Sequence, residues 1–342
     1  MYETSFHTVD LSSKSFLITG GAGFIGSNIL EYLLTHKAKR IVILDNLSTG
    51  FQQNIDQVLD LFSEKERKTV DFIKGNICVL GDCHKACEQV DYVFHQAALG
   101  SVPRSIKYPI ATHTVNSTGF MNMLIAAHDA KIKRVVYASS SSVYGDSAQL
   151  PKVEEIIGNP LSPYAVSKLT NELYGQVFAK AYGMEIIGLR YFNVFGPRQN
   201  PKGEYAAAIP QFIGALLQGK GPEINGDGTQ TRDFTFVSNA VQANIKAMFT
   251  GNINTDGDVF NVAIGERISL NDLIALLQKF AGTHLQQTHG KPRLGDVKDS
   301  LADISKVKKI LGYDPLIKID DGLKYTLDWF KKQTIVQNFD IL

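Results

Sequence analysis

Cysteine is scarce in this sequence: Cys78, Cys83 and Cys87 are the only three among 342 residues. An odd, sparse set argues against a disulfide framework. Cys83 and Cys87 can share a helix face, but no second cysteine pair or histidine-rich stretch accompanies them, so no metal site is expected. An excess of one charge is also missing. The 35 basic and 34 acidic residues leave a formal net charge of +1. That balance gives no sign of a nucleic-acid or acidic-membrane partner, although a single diphosphate needs only a few well-placed donors. No apolar run approaches the ~18 residues of a spanning helix. Met1 to Asp10 shows no basic segment followed by an apolar one. Neither nucleic acid nor membrane is expected as a partner, and a cytoplasmic location is.

What the chain does have is apolar residues, 44% of the total, and a length beyond the commonest single domain of roughly 100–200 residues. In the first half, short apolar runs alternate with helical spacing. Ser15–Thr19, Arg40–Asp45, Val70–Lys74, Tyr92–His95, Val135–Ala138 and Glu185–Arg190 read as strands. Phe24 to Leu34, Asn116 to Ala130 and Tyr164 to Tyr182 read as helices. This alternation predicts an α/β fold, a doubly wound parallel sheet with helices on both faces. Ligands of such sheets sit at the carboxyl ends of the strands, near the topological switch point. Beyond about Tyr191 the pattern loosens and Gly/Pro pairs multiply, with helical spacing again over Asn271 to Phe280 and Gly322 to Phe330. A dinucleotide-binding domain over 1–190 is expected, with the chain returning to its sheet near Phe234–Val237 and Val259–Val262. A smaller α/β substrate lobe is expected from 191–232 and 263–342.

Thr19-Gly20-Gly21-Ala22-Gly23-Phe24-Ile25-Gly26 lies between the first strand and the first helix. It reads as G-x-G-x-x-G from Gly21 or as G-x-x-G-x-x-G through Gly20, Gly23 and Gly26. Either way the glycines permit a tight turn and let the backbone approach a pyrophosphate, while the helix start offers free N–H groups. A glycine loop alone is a weak signal, but this one has the strand-to-helix context it requires. Asp45 follows about 19 residues beyond Gly26, at the end of the next strand, where a carboxylate binds a ribose diol and repels a 2′-phosphate; NAD is therefore expected over NADP. Asn76 and Ile77 end the third strand and can flank the adenine. Gln96, Ala97 and Ala98 end the fourth, where small residues permit close approach to the cofactor. His95 is read as structural.

Tyr164 and Lys168 stand four apart and so share a helix face. A phenol with a pKa near ~10 is a poor base at neutral pH, but a nearby ammonium and a positive nicotinamide ring favour the phenolate. The preceding strand ends in four serines, Ser139 to Ser142, before Val143-Tyr144-Gly145. A hydroxyl there can reach the same substrate oxygen and relay its proton.

In this order, TGGAGFIG, the serine run before VYG, SPYAVSK, LRYFNVFGPRQ, NGDGTQTRDF and RLGDVKDSLAD make a specific set. The chain resembles the extended short-chain dehydrogenase/reductases of the nucleotide-sugar epimerase branch, and among them most resembles UDP-N-acetylglucosamine 4-epimerases, from about Lys14 to Lys331. The resemblance implies Tyr164 as base, Lys168 as its electrostatic partner and a serine as relay, with Ser140 favoured and Ser141 and Ser142 as neighbours able to touch the sugar. It implies further cofactor contacts from Phe24, Ile25, Asn46, Ser48, Thr49, Gly50, Asn116, Tyr191 and Val194. For a UDP-sugar substrate it implies Gly100, Ser101, Ser141, Ser142, Asn193, Gln199, Ala208 and Gln211, with Arg232 and Arg293 on the uridine diphosphate and Asp296 on the uridine ribose. Arginine's planar fork suits that anion.

The reaction so implied is reversible oxidation at C4 of the sugar. The 4-keto intermediate turns over between hydride removal and return, with no net redox change. A 4,6-dehydratase would carry an Asp-Glu pair where Ser141-Ser142 stands, and a decarboxylase would need a further charged site. A non-catalytic NAD sensor would tolerate loss of Tyr164 or Lys168, and both are present. Ser300, small where a tyrosine restricts galactose-type epimerases, leaves room for a 2-acetamido group and points to UDP-GlcNAc and UDP-GalNAc. UDP-N-acetylglucosaminuronic acid, with Arg104 as a candidate basic contact, and UDP-glucose/UDP-galactose are the alternatives. The resemblance also implies a homodimer built through helices near Asn116–Ala130 and Pro163–Tyr182.

Overall fold

The structure, a computed structural model, describes residues 1–201, 206–251, 257–291 and 298–339, with 334–339 as backbone alone. Its centre is a seven-stranded, wholly parallel sheet. The strands are β1 (Ser15–Thr19), β2 (Arg40–Asp45), β3 (Val70–Lys74), β4 (Tyr92–His95), β5 (Arg134–Ser140), β6 (Ile186–Tyr191) and β7 (Val259–Val262). They run in the order β7-β6-β5-β4-β1-β2-β3. The order reverses between β1 and β4, which opens a crevice at their carboxyl ends. Continuous apolar runs such as Phe16-Leu17-Ile18 and Ile41-Val42-Ile43-Leu44 form strands here because both faces of the sheet are covered.

Helix α1 (Phe24–Thr35) packs one face through Ile29, Leu30 and Leu33. Helix α2 (Gly119–Asp129) packs the other through Phe120, Met123, Leu124 and Ala127. The segment expected as a helix over 116–130 is helical to Asp129, and it starts earlier than expected: a π-helical turn, Thr114–Thr118, joins α2 without a break to Pro109–His113. Helix α3 (Pro163–Tyr182) begins where Ser162 accepts from the Ala165 N–H with proline at the first position, and ends at left-handed Gly183.

The chain does not rejoin the large sheet at Phe234–Val237. Thr235–Phe236 pairs in parallel with Val194–Phe195 alone. A further helix, α4 (Val237–Phe249), follows at once and packs against α1. The return comes at β7, which pairs with β6. A separate apolar cluster gathers Phe195, Phe212, Phe236, Leu273, Leu277, Leu323 and Leu327. It draws on Ala208–Leu217, α5 (Leu270–Ala281) and α6 (Ile319–Phe339).

Candidate active site

Three adjoining cavities lie along the carboxyl ends of the strands. The largest, about 590 Å³, is lined by Gly20, Gly23, Phe24, Ile25 and Gly26 after β1, by Asp45, Asn46, Ser48, Thr49 and Gly50 after β2, and by Asn76 and Ile77 after β3. Gln96, Ala97, Ala98, Gly100, Ser101 and Arg104 follow from β4, and Ser140, Tyr164, Lys168, Tyr191, Asn193, Val194 and Gln199 complete the wall. Residues singled out at six strand ends in the sequence thus form one contiguous surface.

The glycine loop fits a dinucleotide for steric reasons. Gly20 has φ +71°, and a Cβ there would stand 2.7 Å from the Ala97 nitrogen; a Cβ on Gly26 would run into the Gly20 carbonyl oxygen. The loop is closed so tightly that no side chain fits at Gly20 or Gly26. Gly23 starts α1 without a side-chain cap, leaving the first N–H groups for a pyrophosphate. Asp45 stands where a ribose diol would lie. Its carboxylate accepts from the Ala22 N–H at 3.0 Å and the Leu47 N–H at 2.8 Å, which orients both oxygens while leaving further lone pairs for hydroxyl donors.

Asn116 is buried behind the cleft wall. Its amide accepts from the Leu99 N–H at 2.8 Å and donates to the Leu99 carbonyl at 3.1 Å and to Ser167 Oγ at 3.0 Å. Its place is to hold the loop after β4. His95 is buried against the Thr19 hydroxyl at 2.9 Å, and burial, with Lys168 adding to it, lowers its pKa to about 3. It stays neutral at any ordinary pH, in keeping with a structural role.

Tyr164 and Lys168 project from the first turns of α3 beside the end of β5. Lys168 Nζ donates to the Ala138 carbonyl at 2.8 Å and lies 6.0 Å from the Tyr164 ring centroid. Burial lowers the lysine pKa to about 8, with Glu172 pulling it back up. The phenol departs from the expectation drawn from the ammonium. Burial raises the Tyr164 pKa, and the opposing influence is a hydrogen bond with the Ser140 side chain. Desolvation outweighs a cation at that range, so the chain alone keeps Tyr164 protonated. Among the serines, Ser139 is committed elsewhere, donating to Glu172 Oε1 at 2.5 Å. Ser140, whose Oγ accepts from the Ser142 N–H at 3.2 Å, is the one coupled to the phenol.

A second cavity of about 270 Å³ meets the first at Ser101, Ser140, Tyr164 and Asn193, and adds Ser141, Ser142, Lys152, Arg232, Asp299 and Ser300. A third, about 220 Å³, is lined by Ala208, Gln211, Gln230 and Arg232. Arg232 is buried between these two, donating to the carbonyls of Thr231 at 2.8 Å and Lys298 at 3.0 Å. Asn193, at φ +38°, donates to the Asp233 carbonyl at 2.9 Å. Gln199 donates to the Val194 carbonyl at 3.1 Å, and its buried Oε1 has no partner among the described residues. Arg293 and Asp296 lie outside the described residues.

The supports behind these groups were not anticipated from the sequence. Glu172 is buried one turn beyond Lys168, on the same face, and takes Arg190 at 2.9 and 2.8 Å together with Ser139. Its spacing of four from Lys168 was the available signal. Asp233, fully buried, accepts from the N–H groups of Ile264, Gly265 and Ala302 at 3.1–3.2 Å. It sits in the NGDGTQTRDF stretch beside Arg232, but its role in holding these three backbone groups depends on distant residues and was not read from the sequence.

Fold and site together define a dinucleotide-binding enzyme of the doubly wound class, with a Tyr/Lys pair beside two adjoining cavities. The chain belongs to the NAD dependent epimerase/dehydratase family, whose model matches residues 16–263, and NAD is its cofactor. It is 36% identical over 316 residues to a putative UDP-glucose 4-epimerase of Methanocaldococcus jannaschii, covering 92% of this chain and 98% of that one. Among solved structures it resembles a UDP-N-acetylglucosamine 4-epimerase from Methanobrevibacter ruminantium in complex with UDP-N-acetylmuramic acid, at 37% identity and TM-score 0.86, covering 94% of this chain and 99% of that one. It also resembles a UDP-glucuronic acid 4-epimerase from Bacillus cereus in complex with UDP-glucuronic acid and NAD, at 33% identity and TM-score 0.85, covering 93% and 99%.

Proposed function

We propose that this protein is an NAD-dependent isomerase that inverts C4 of a UDP-linked hexose, and that the hexose is an N-acetylhexosamine, so that UDP-GlcNAc and UDP-GalNAc interconvert. The observation that carries the reaction is Tyr164, which lines the cofactor cleft and the second cavity at once. A hexose in that cavity has its reacting hydroxyl within reach of the phenol and of Ser140. Bound NAD supplies the acceptor and donor of the C4 hydride. Tyr164 acts in its phenolate form, which the positive ring of bound NAD would favour; it takes the C4 hydroxyl proton through Ser140 and gives it back when the opposite face of the 4-keto sugar is presented. Lys168 orients the site and keeps positive charge beside it. The uridine diphosphate is assigned to Arg232, Gln211 and Ala208, with Arg293 and Asp296, and the sugar to Ser141, Ser142, Asn193, Gln199, Gly100 and Ser101. An anchor remote from the reacting carbon suits a substrate whose sugar must turn while its nucleotide stays. The acetamido reading rests on Ser300, a small side chain buried in the wall of the hexose cavity. We assign residues 1–190 to cofactor binding and 191–232 with 263–342 to the substrate lobe.

Incubation of purified protein with UDP-GlcNAc, without added NAD, is expected to yield UDP-GalNAc by NMR. Absence of C4 inversion on any UDP sugar would remove the reading, and turnover of UDP-glucose alone would remove the acetamido group from it.

We also propose a homodimer, supported by the exposed face of α3. Val166, Leu173 and Val177 are 51%, 55% and 56% exposed, and their spacing of seven and four puts them on one stripe. Ile106, Tyr108 and Ile110, on the short helices that pack against α3, are also exposed. Asp at both 173 and 177 is expected to convert a dimer to monomer in light scattering; a wild-type monomer would contradict this.

A further inference from the structure

The hexose cavity contains a cation that the reaction above does not use. Lys152 lines it with Ser140, Ser141, Ser142, Tyr164 and Ser300, and is only 5% exposed. Its backbone is pinned on both sides, the N–H donating to the Leu301 carbonyl at 2.8 Å and the carbonyl accepting from Asp303 N–H and Asn261 Nδ2 at 2.9 Å each. The ammonium donates to the Ser147 carbonyl. Among the described residues no carboxylate forms an ion pair with it. The acid that shares the cavity, Asp299, is occupied by the Thr231 hydroxyl at 2.6 Å and lies 3.7 Å from Arg267. In the same cavity, Ser142 Oγ is buried and makes no hydrogen bond to any described residue.

An ammonium has three donors and no acceptor, and one of them is satisfied here. Burying a cation without a counter-charge costs several kcal/mol, and none of the described residues supplies that charge. A neutral acetamido carbonyl would accept a hydrogen bond but leave the charge uncompensated. A carboxylate would meet both needs and would also accept from the Ser142 hydroxyl.

We propose that Lys152, with Ser142, receives a carboxylate carried by the hexose, so that the preferred substrate is an acidic sugar of the UDP-N-acetylhexosaminuronate class. This rests on the UDP-sugar reading above and narrows it. Arg104 is less suited to that role, because it lines the cofactor cleft, donates to the Gly100 carbonyl at 3.2 Å, and is absent from the hexose cavity.

The test is calorimetric titration of the NAD-loaded protein with UDP-N-acetylglucosaminuronate and with UDP-N-acetylglucosamine. Wild type is expected to bind the acidic sugar at least about tenfold more tightly, as a charge-assisted contact implies. Lys152→Met is expected to abolish that preference, and Lys152→Arg to retain part of it. Should Lys152→Met not fold, Ser142→Ala is expected to narrow the preference severalfold. Equal affinity for the two sugars in wild type, or a preference that these variants leave intact, overturns the proposal. Binding of neither sugar overturns the UDP-sugar reading itself, which equal binding of both does not.

Discussion

Tyr164→Phe is expected to lower kcat by about 10²–10⁴-fold, the usual worth of a positioned proton-transfer group, while the protein keeps its NAD. The substitution removes one oxygen and leaves the ring, which borders both the large cleft and the adjoining cavity. The packing of the ring is therefore preserved, and the loss is expected to fall on proton transfer. Ser140 cannot substitute, because a hydroxyl that relays a proton needs somewhere to pass it. His95 is no alternative: burial holds it neutral, with its pKa lowered to about 3, behind the Thr19 hydroxyl. Turnover by NMR, with NAD content read by absorbance after denaturation, separates the two effects. Near-normal turnover would remove Tyr164 from the mechanism; loss of NAD together with turnover would make it a cofactor-binding residue only.

Glu172→Ala is expected to destabilise the fold by about 3–5 kcal/mol, because it strands the Arg190 guanidinium in the interior without its counter-charge. Arg190 is buried, makes two hydrogen bonds to Glu172, donates to the Glu154 carbonyl at 2.9 Å, and lies 4.9 Å from the Tyr144 ring centroid. The same carboxylate accepts from Ser139, at the end of the strand that presents Ser140. Denaturant unfolding monitored by fluorescence would read the loss. The pair Glu172→Met with Arg190→Met should recover most of it, since removing both charges leaves nothing unpaired. A single mutant as stable as wild type would show the pair to be dispensable.

The parallel strands and the glycine loop were legible because their physics is local. A run such as Arg40–Asp45 declares a strand covered on both sides, and a glycine at 20 or 26 declares a backbone that tolerates no Cβ. Helix α4 was illegible for a related reason. It is buried nearly all round, with Ser238, Asn239, Gln242 and Asn244 among its buried residues, so it has no apolar stripe. Those polar groups are spent on distant partners, Asn244 on the Tyr191 hydroxyl at 2.7 Å and Gln242 on the Asp314 N–H at 2.9 Å, which no spacing encodes. Thr235–Phe236 reads like a sheet strand but is too short to reach the large sheet, and Val194–Phe195 takes it instead. Tyr164 and Lys168 were legible as a pair; the direction of the phenol's pKa was not, because it depends on how deeply the site is desolvated. Lys152 carries no motif, and only the fold brings it to the serines.

The π-helical turn at Thr114–Thr118 bears on how the pocket is gauged. One extra residue in the helical ladder aims the Asn116 amide at both backbone groups of Leu99, and Gly100 and Ser101, which follow, line the large cleft, Ser101 the adjoining cavity as well. The boundary between the two cavities therefore hangs from a helix on the far side of the sheet from α1. A change of helical phase there would resize the second cavity without altering any residue that lines it.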